Sequence, residues 1–115
     1  MFKLFGFVSK REDMTFGDFI DYYENHHVPL ILSTAPAPTV YKRHYVDRDG
    51  MDSAASAIDC DAIVEQEFAD RATFTAWLAA VTTGPAGERV AADEARFLDR
   101  SRTRACVVSE SGISG

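Results

Sequence analysis

A chain of 115 residues, 46% apolar and 11% aromatic, can bury one real core and is expected to fold as a single domain over residues 1–110, with a flexible Ser/Gly tail at 111–115. The formal charge of −6 argues against a nucleic-acid partner, since phosphate contacts need clustered Lys and Arg. No apolar run approaches the ~20 residues that span a bilayer, so no membrane partner is expected.

The first apolar run, Met1 to Val8, is too short for a signal peptide and lacks a small-residue cleavage site after it. It reads as a strand over 2–8, ended by the polar Ser9-Lys10-Arg11-Glu12-Asp13. With no secretory signal, a cytoplasmic location and reduced thiols at Cys60 and Cys106 are expected. Thr15 then stands as an N-cap, with Asp18 three residues later supporting the first turn. Phe16, Phe19, Ile20, Tyr23, Leu30 and Ile31 recur at helical spacing and form one apolar stripe. At ~100° per residue, His27 falls near the middle of that stripe and His26 toward its edge. Pro29 has no N–H and disfavours helix at Val28, so the helix should kink or loosen beside the histidines.

Ala35-Pro36-Ala37-Pro38 is a connector, and 39–47 reads as a second strand. Its faces are Val40, Lys42, His44, Val46 and Tyr41, Arg43, Tyr45, Asp47; the second is suited to a polar pocket or to contact with another subunit. A flexible polar loop is expected over 48–56. A third strand, 61–68, sets Val64, Gln66 and Phe68 opposite Ile63, Glu65 and Glu67. Asp70 caps a helix to about residue 81 that carries Phe74, Trp77 and Leu78 inward. Thr82-Thr83-Gly84-Pro85 breaks it, a shorter helix covers about 86–96, and a last strand runs over 103–110.

The order β-α-β-β-α-β defines an α+β, ferredoxin-like fold: a four-stranded antiparallel sheet with helices on one face. Lys3, Glu65 and Glu67 lie among apolar residues on the other face. Dimerisation, sheet against sheet, is the simplest way to cover it.

Histidine suits proton transfer near neutrality, and an imidazole set among Tyr23, Leu30 and Tyr45 is partly desolvated, which disfavours its charged form. His27 is thus a candidate general acid/base, or a cap for backbone carbonyls freed by Pro29. His26 is the second candidate, or a surface histidine. Tyr45 and Tyr23 either donate hydrogen bonds to a developing enolate or serve as core aromatics with a hydroxyl at the rim. Arg43 either clamps a substrate carboxylate or pairs with Glu65 or Glu67. Gln66 shares a strand face with Val64 and Phe68 and can present an amide to a pocket. Asp93 and Glu94 read as helix-end and salt-bridge residues. Adjacent His26 and His27 diverge on a helix, and no ligand spacing completes a set with His44, so no metal site is expected.

Several segments together carry a family resemblance: the aromatic first strand, Met14-Thr15 with Phe19 and Tyr22-Tyr23, His27-Val28-Pro29-Leu30, Tyr45, Asp61 to Glu65 with Phe68, and Asp93-Glu94-Ala95-Arg96-Phe97-Leu98-Asp99. Over roughly residues 2–109 the chain resembles the EthD family of the dimeric α+β-barrel superfamily. The resemblance implies a homodimer whose two sheets form one barrel, with a pocket in each subunit between sheet and helices. That pocket would be lined by Tyr23, Tyr41, Arg43, Gln66, Phe68 and Trp77. It implies a cofactor-independent isomerase, dehydratase or cyclase acting on an apolar oxygenated small molecule. The other readings are an accessory ligand-binding dimer that supports oxidative catabolism, or an oxygen-using or haem-binding monooxygenase of the same fold, with His27 as the axial ligand in the haem-binding case.

Overall fold

Alternation in the first strand sets the architecture. In β1 (Phe2–Val8) Leu4 and Val8 are buried under the helices, while Lys3, Phe5 and Phe7 point to the opposite face. The computed structural model describes residues 1–49 and 57–112. Most of the loop expected over 48–56, and residues 113–115 of the expected tail, lie outside those described. The further elements are α1 (Phe16–Tyr22), a π-helical turn (Tyr23–His27), α2 (Val28–Thr34), β2 (Val40–Tyr45), β3 (Ala62–Phe68), α3 (Arg71–Thr82), α4 (Gly84–Glu94) and β4 (Arg104–Val108). The strands form one antiparallel sheet in the order β2-β3-β1-β4, the ferredoxin-like arrangement. No helix among the described residues is long and apolar enough to cross a membrane.

Both expected N-caps form. Thr15 Oγ1 accepts from the Asp18 N–H at 3.1 Å, and Asp70 Oδ1 accepts from Thr73 N–H at 2.8 Å. The loosening beside Pro29 takes a definite shape. Tyr23–His27 forms a π turn in which the Val28 N–H reaches back to the Tyr23 carbonyl. Val28 is nonetheless helical, because the wide turn comes before it and Pro29 occupies the first turn of α2, where a missing N–H is tolerated. The turn also resets the buried stripe. Phe19, Tyr23 and His27 are buried at intervals of four, and then the adjacent Val28 starts a second series with Ile31 and Ala35. The first series and Val28 pack with Val8, Val64 and Phe97, while Ile31 and Ala35 pack with Val81 and Val90.

Other boundaries move by a few residues. Beyond β2, Thr39 N–H and Val46 N–H each make one bond, to Glu67 and Asp61 carbonyls, without continuing the ladder. Glu110, expected in the last strand, lies past its end and meets Lys3 Nζ at 3.0 Å. Lys3 also pairs with Glu65 and Glu67 at 3.2 and 3.5 Å, on the sheet face that has no helices. Leu78, expected inward, is 42% exposed; it lies one residue off the 74–77–81 stripe and so at the helix flank. The expected break at 82–85 is only a corner. Gly84 adopts φ 66°, a left-handed value that suits glycine, and Pro85 already sits in the first turn of α4. Gly87 lets α4 approach the backbone of Thr82 so closely that any Cβ there would overlap it.

Candidate active site

His27 is 5% exposed. Tyr23 meets its ring edge-on at 5.4 Å and Phe97 lies against it at 5.0 Å between centroids. Its Nδ1 is 2.9 Å from Asp93 Oδ2, on the last turn of α4, and Asp93 Oδ1 accepts from the Tyr22 hydroxyl at 2.6 Å. An ionised carboxylate only accepts, so Nδ1 beside it carries the proton and a neutral His27 keeps its lone pair on Nε2. The partner of His27 is therefore this carboxylate, not a carbonyl freed by Pro29.

His27 lines a cavity of about 200 Å³ between the sheet and the helices. Gly6, Val64 and Gln66 form its floor, and Tyr23, Tyr41, Trp77 and Glu94 stand around it. The Tyr23 and Tyr41 hydroxyls interact. Burial pushes the Tyr23 phenol well above its ordinary range and Tyr41 to about 12, so both stay protonated donors near neutral pH. Burial likewise raises the Glu94 carboxyl, against the lowering effect of nearby His27 and Arg100. Trp77 offers the cavity its ring, while its indole N–H is buried without a hydrogen-bond partner among the described residues.

The structure thus brings together His27, Tyr23, Tyr41, Gln66 and Trp77. It sets the other expected site residues elsewhere. His26 is exposed and stacks on Tyr22 at 4.7 Å, because one step along a helix turns it off the buried face. Phe68 is fully buried core, packed on Phe74 and Trp77. Arg43 is not free to clamp a carboxylate, nor does it meet Glu65 or Glu67, which point to the opposite sheet face. Its fork holds Glu24 through Nε and Nη2 at 2.9 and 2.7 Å, and it stacks over Tyr41 at 4.8 Å. Tyr45 does not line the His27 cavity; its hydroxyl donates to Glu24 at 2.5 Å, and its ring packs on Phe16 and Phe19. Thus Glu24, Arg43 and Tyr45 tie the π turn to the sheet.

Asp93, Glu94, Tyr22 and Glu24 escape a reading of the sequence by residue type alone. One signal for the first two exists. Two carboxylates in the last turn of a helix oppose the negative end of its dipole, which is unfavourable unless partners compensate them.

The Glu24 clamp has a pH signature. Arg43's hydrogen bonds hold the Glu24 carboxyl below its ordinary 4.5, against burial, with Tyr45 adding to the effect. A depressed folded-state value contributes stability above the unfolded value and loses it as pH falls through the folded one. Below about pH 4.5 the wild type should therefore lose thermal stability more steeply than Glu24→Gln, as melting curves from about pH 7 to pH 3 would show. Parallel curves would rule the clamp out as a contributor.

Gly6 opens the cavity floor. A methyl there would make only ordinary contacts, 3.7 Å to Val64 Cβ and 3.9 Å to the Arg104 carbonyl, so Gly6→Ala should fold. Gly6→Leu should occupy the cavity and weaken a single-ring probe such as benzamide by about tenfold or more, read by NMR titration. Unchanged binding would place the probe elsewhere.

A ferredoxin-like sheet, a π-bulged helix and a histidine–aspartate pair beside a small cavity define an α+β protein with a candidate site between its sheet and its helices. The chain belongs to the EthD family: the model of the EthD domain matches residues 11–101. Among solved structures it is similar to the Arabidopsis thaliana protein At3g17210, with TM-score 0.68, 10% identity and 99% of each chain covered. It is also similar to an ethyl tert-butyl ether D (EthD) family protein of Bacillus halodurans, with TM-score 0.62 and 14% identity over 96% of this chain and 100% of that one. HapK from Hahella chejuensis superposes with TM-score 0.61 and 15% identity over 100% of this chain and 99% of that one. At these identities the likeness is one of fold. No curated protein matches the sequence.

Proposed function

We propose that this protein is a cofactor-independent isomerase, dehydratase or cyclase acting on a small, apolar, oxygenated molecule, with His27 as general acid/base. The observation that carries this reading is the Asp93–His27 pair at the wall of a half-open cavity between sheet and helices. In the reaction, Nε2 takes a proton from carbon next to a carbonyl. The charge arising on the imidazole is met by Asp93 across the 2.9 Å bond. A tyrosine hydroxyl at the cavity, Tyr41 or Tyr23, donates to the oxygen that becomes negative. The proton then returns to another atom of the substrate, which moves a double bond, expels water or closes a ring. The fit is poor for haem, because about 200 Å³ holds a single ring and not a tetrapyrrole.

The homodimer belongs to the same reading. Partly exposed Phe5, Phe7 and Ile63 share the helix-free sheet face with the charge cluster around Lys3, a surface suited to a second copy. Native mass spectrometry should find a dimer.

The test is proton exchange. A single-ring ketone such as cyclohexanone, incubated in D2O with the protein, should lose its α-proton NMR signal faster than in buffer. His27→Ala should restore the buffer rate. A wild type that binds such ketones without accelerating exchange would move the assignment to a ligand-binding accessory protein.

A further inference from the structure

The cavity's charge is one-sided. Apart from His27, Arg104 is the one basic residue among the described residues lining it; its register with Phe7 sends its side chain to the helix-free face, where the guanidinium meets Asp59 at 3.0 Å in an exposed pair. Arg43 is committed to Glu24 on the other side of Tyr41. Glu94 has no such close partner. Glu94 stands at the wall and meets Arg100 only at 3.8 Å, through a mostly exposed guanidinium whose charge water screens. Asp93 adds a second carboxylate behind His27. An anion entering this space would find no free cation and would leave water to face two carboxylates.

Size gives the second constraint. A dry cavity of about 150 Å³ holds a benzene ring, so about 200 Å³ takes one ring with a small substituent. From these two constraints we propose that Glu94 restricts the cavity to uncharged single-ring ligands and excludes carboxylates and phosphates of the same size. This rests on the cavity reading above and narrows its substrate class. Gln66 and the Tyr23–Tyr41 hydroxyls provide the neutral hydrogen-bonding groups that such a ligand's carbonyl, hydroxyl or amide would use.

Benzamide and benzoate test it, being nearly isosteric and differing in charge at pH 7. In an NMR titration of the wild type, benzamide should bind at least about tenfold more tightly than benzoate, the repulsion expected of like charges several ångströms apart in partly buried surroundings. In Glu94→Gln the ratio should fall below about threefold. Equal binding of the two probes to the wild type, or an unchanged ratio in Glu94→Gln, would overturn the role of Glu94. His27-dependent ketone exchange would then still stand by itself. If neither probe binds at the cavity residues, the cavity is not a ligand site, and this inference and the enzymatic reading fall together.

Discussion

Asp93→Asn should lower His27-dependent exchange or turnover by on the order of 10²–10⁴-fold while leaving the fold in place. The aspartate does two things that asparagine cannot. It accepts from Nδ1 at 2.9 Å with a full negative charge, and through that bond it selects the tautomer that leaves Nε2 free to accept a proton. An asparagine amide can turn its NH2 toward Nδ1, which puts the ring proton on Nε2 and removes the base. The Tyr22 hydroxyl, 2.6 Å from the other carboxylate oxygen, still finds an acceptor in the amide oxygen, so packing should be little disturbed. His27→Ala should cost a similar factor, and the double variant little more, since the two residues act as one unit. The readout is exchange rate together with melting temperature. A full-rate Asp93→Asn protein would remove Asp93 from the mechanism, and additive losses would show that the pair does not act through one bond.

Why that pair is hard to see in the sequence follows from how the fold makes it. His27 and Asp93 lie 66 positions apart, and the only local cue at Asp93 is a helix end that carries the wrong sign of charge. What alternation and capping determine was legible: the buried face of β3 through Val64, Gln66 and Phe68, the caps at Thr15 and Asp70, and the element order. Alternation also places Arg43 and Tyr45 on the helix side of the sheet. It does not say that Glu24 waits there, because the rotation of Glu24 toward β2 is set by the π turn. Pro29 announces a disturbance without specifying a π turn. Tyr45 is a related case. Its face was readable, but its place along the strand sets it beside Phe16 and Phe19, with Tyr41 at the His27 cavity instead. Strand ends were overestimated where single hydrogen bonds outlast the ladder, as at Thr39 and Val46.

Phe97→Ala should destabilise the protein by about 3–5 kcal/mol, a large share of the roughly 5–15 kcal/mol that holds a domain of this size together. Phe97 is 0% exposed. Its ring meets Phe19 at 5.9 Å, Tyr22 and Tyr23 at 5.1 Å each, and His27 at 5.0 Å. It therefore joins the α1 helix, the π turn and the segment after α4 in one cluster. Its backbone is fixed as well, since its N–H donates to the Glu94 carbonyl and its own carbonyl accepts from Arg11. The aromatic side chain cannot be replaced by a shift of the chain, so truncation leaves a void. Urea unfolding should show a lower midpoint with an unchanged slope, and a loss under about 1 kcal/mol would mean that the cluster collapses around the gap. Phe97→Leu separates stability from chemistry. It should cost less stability than alanine, yet it removes the flat surface that fixes the His27 ring against Asp93. Where the leucine variant stays fully folded, its exchange rate should still fall. A folded variant exchanging at the wild-type rate would show that Asp93 alone orients the imidazole.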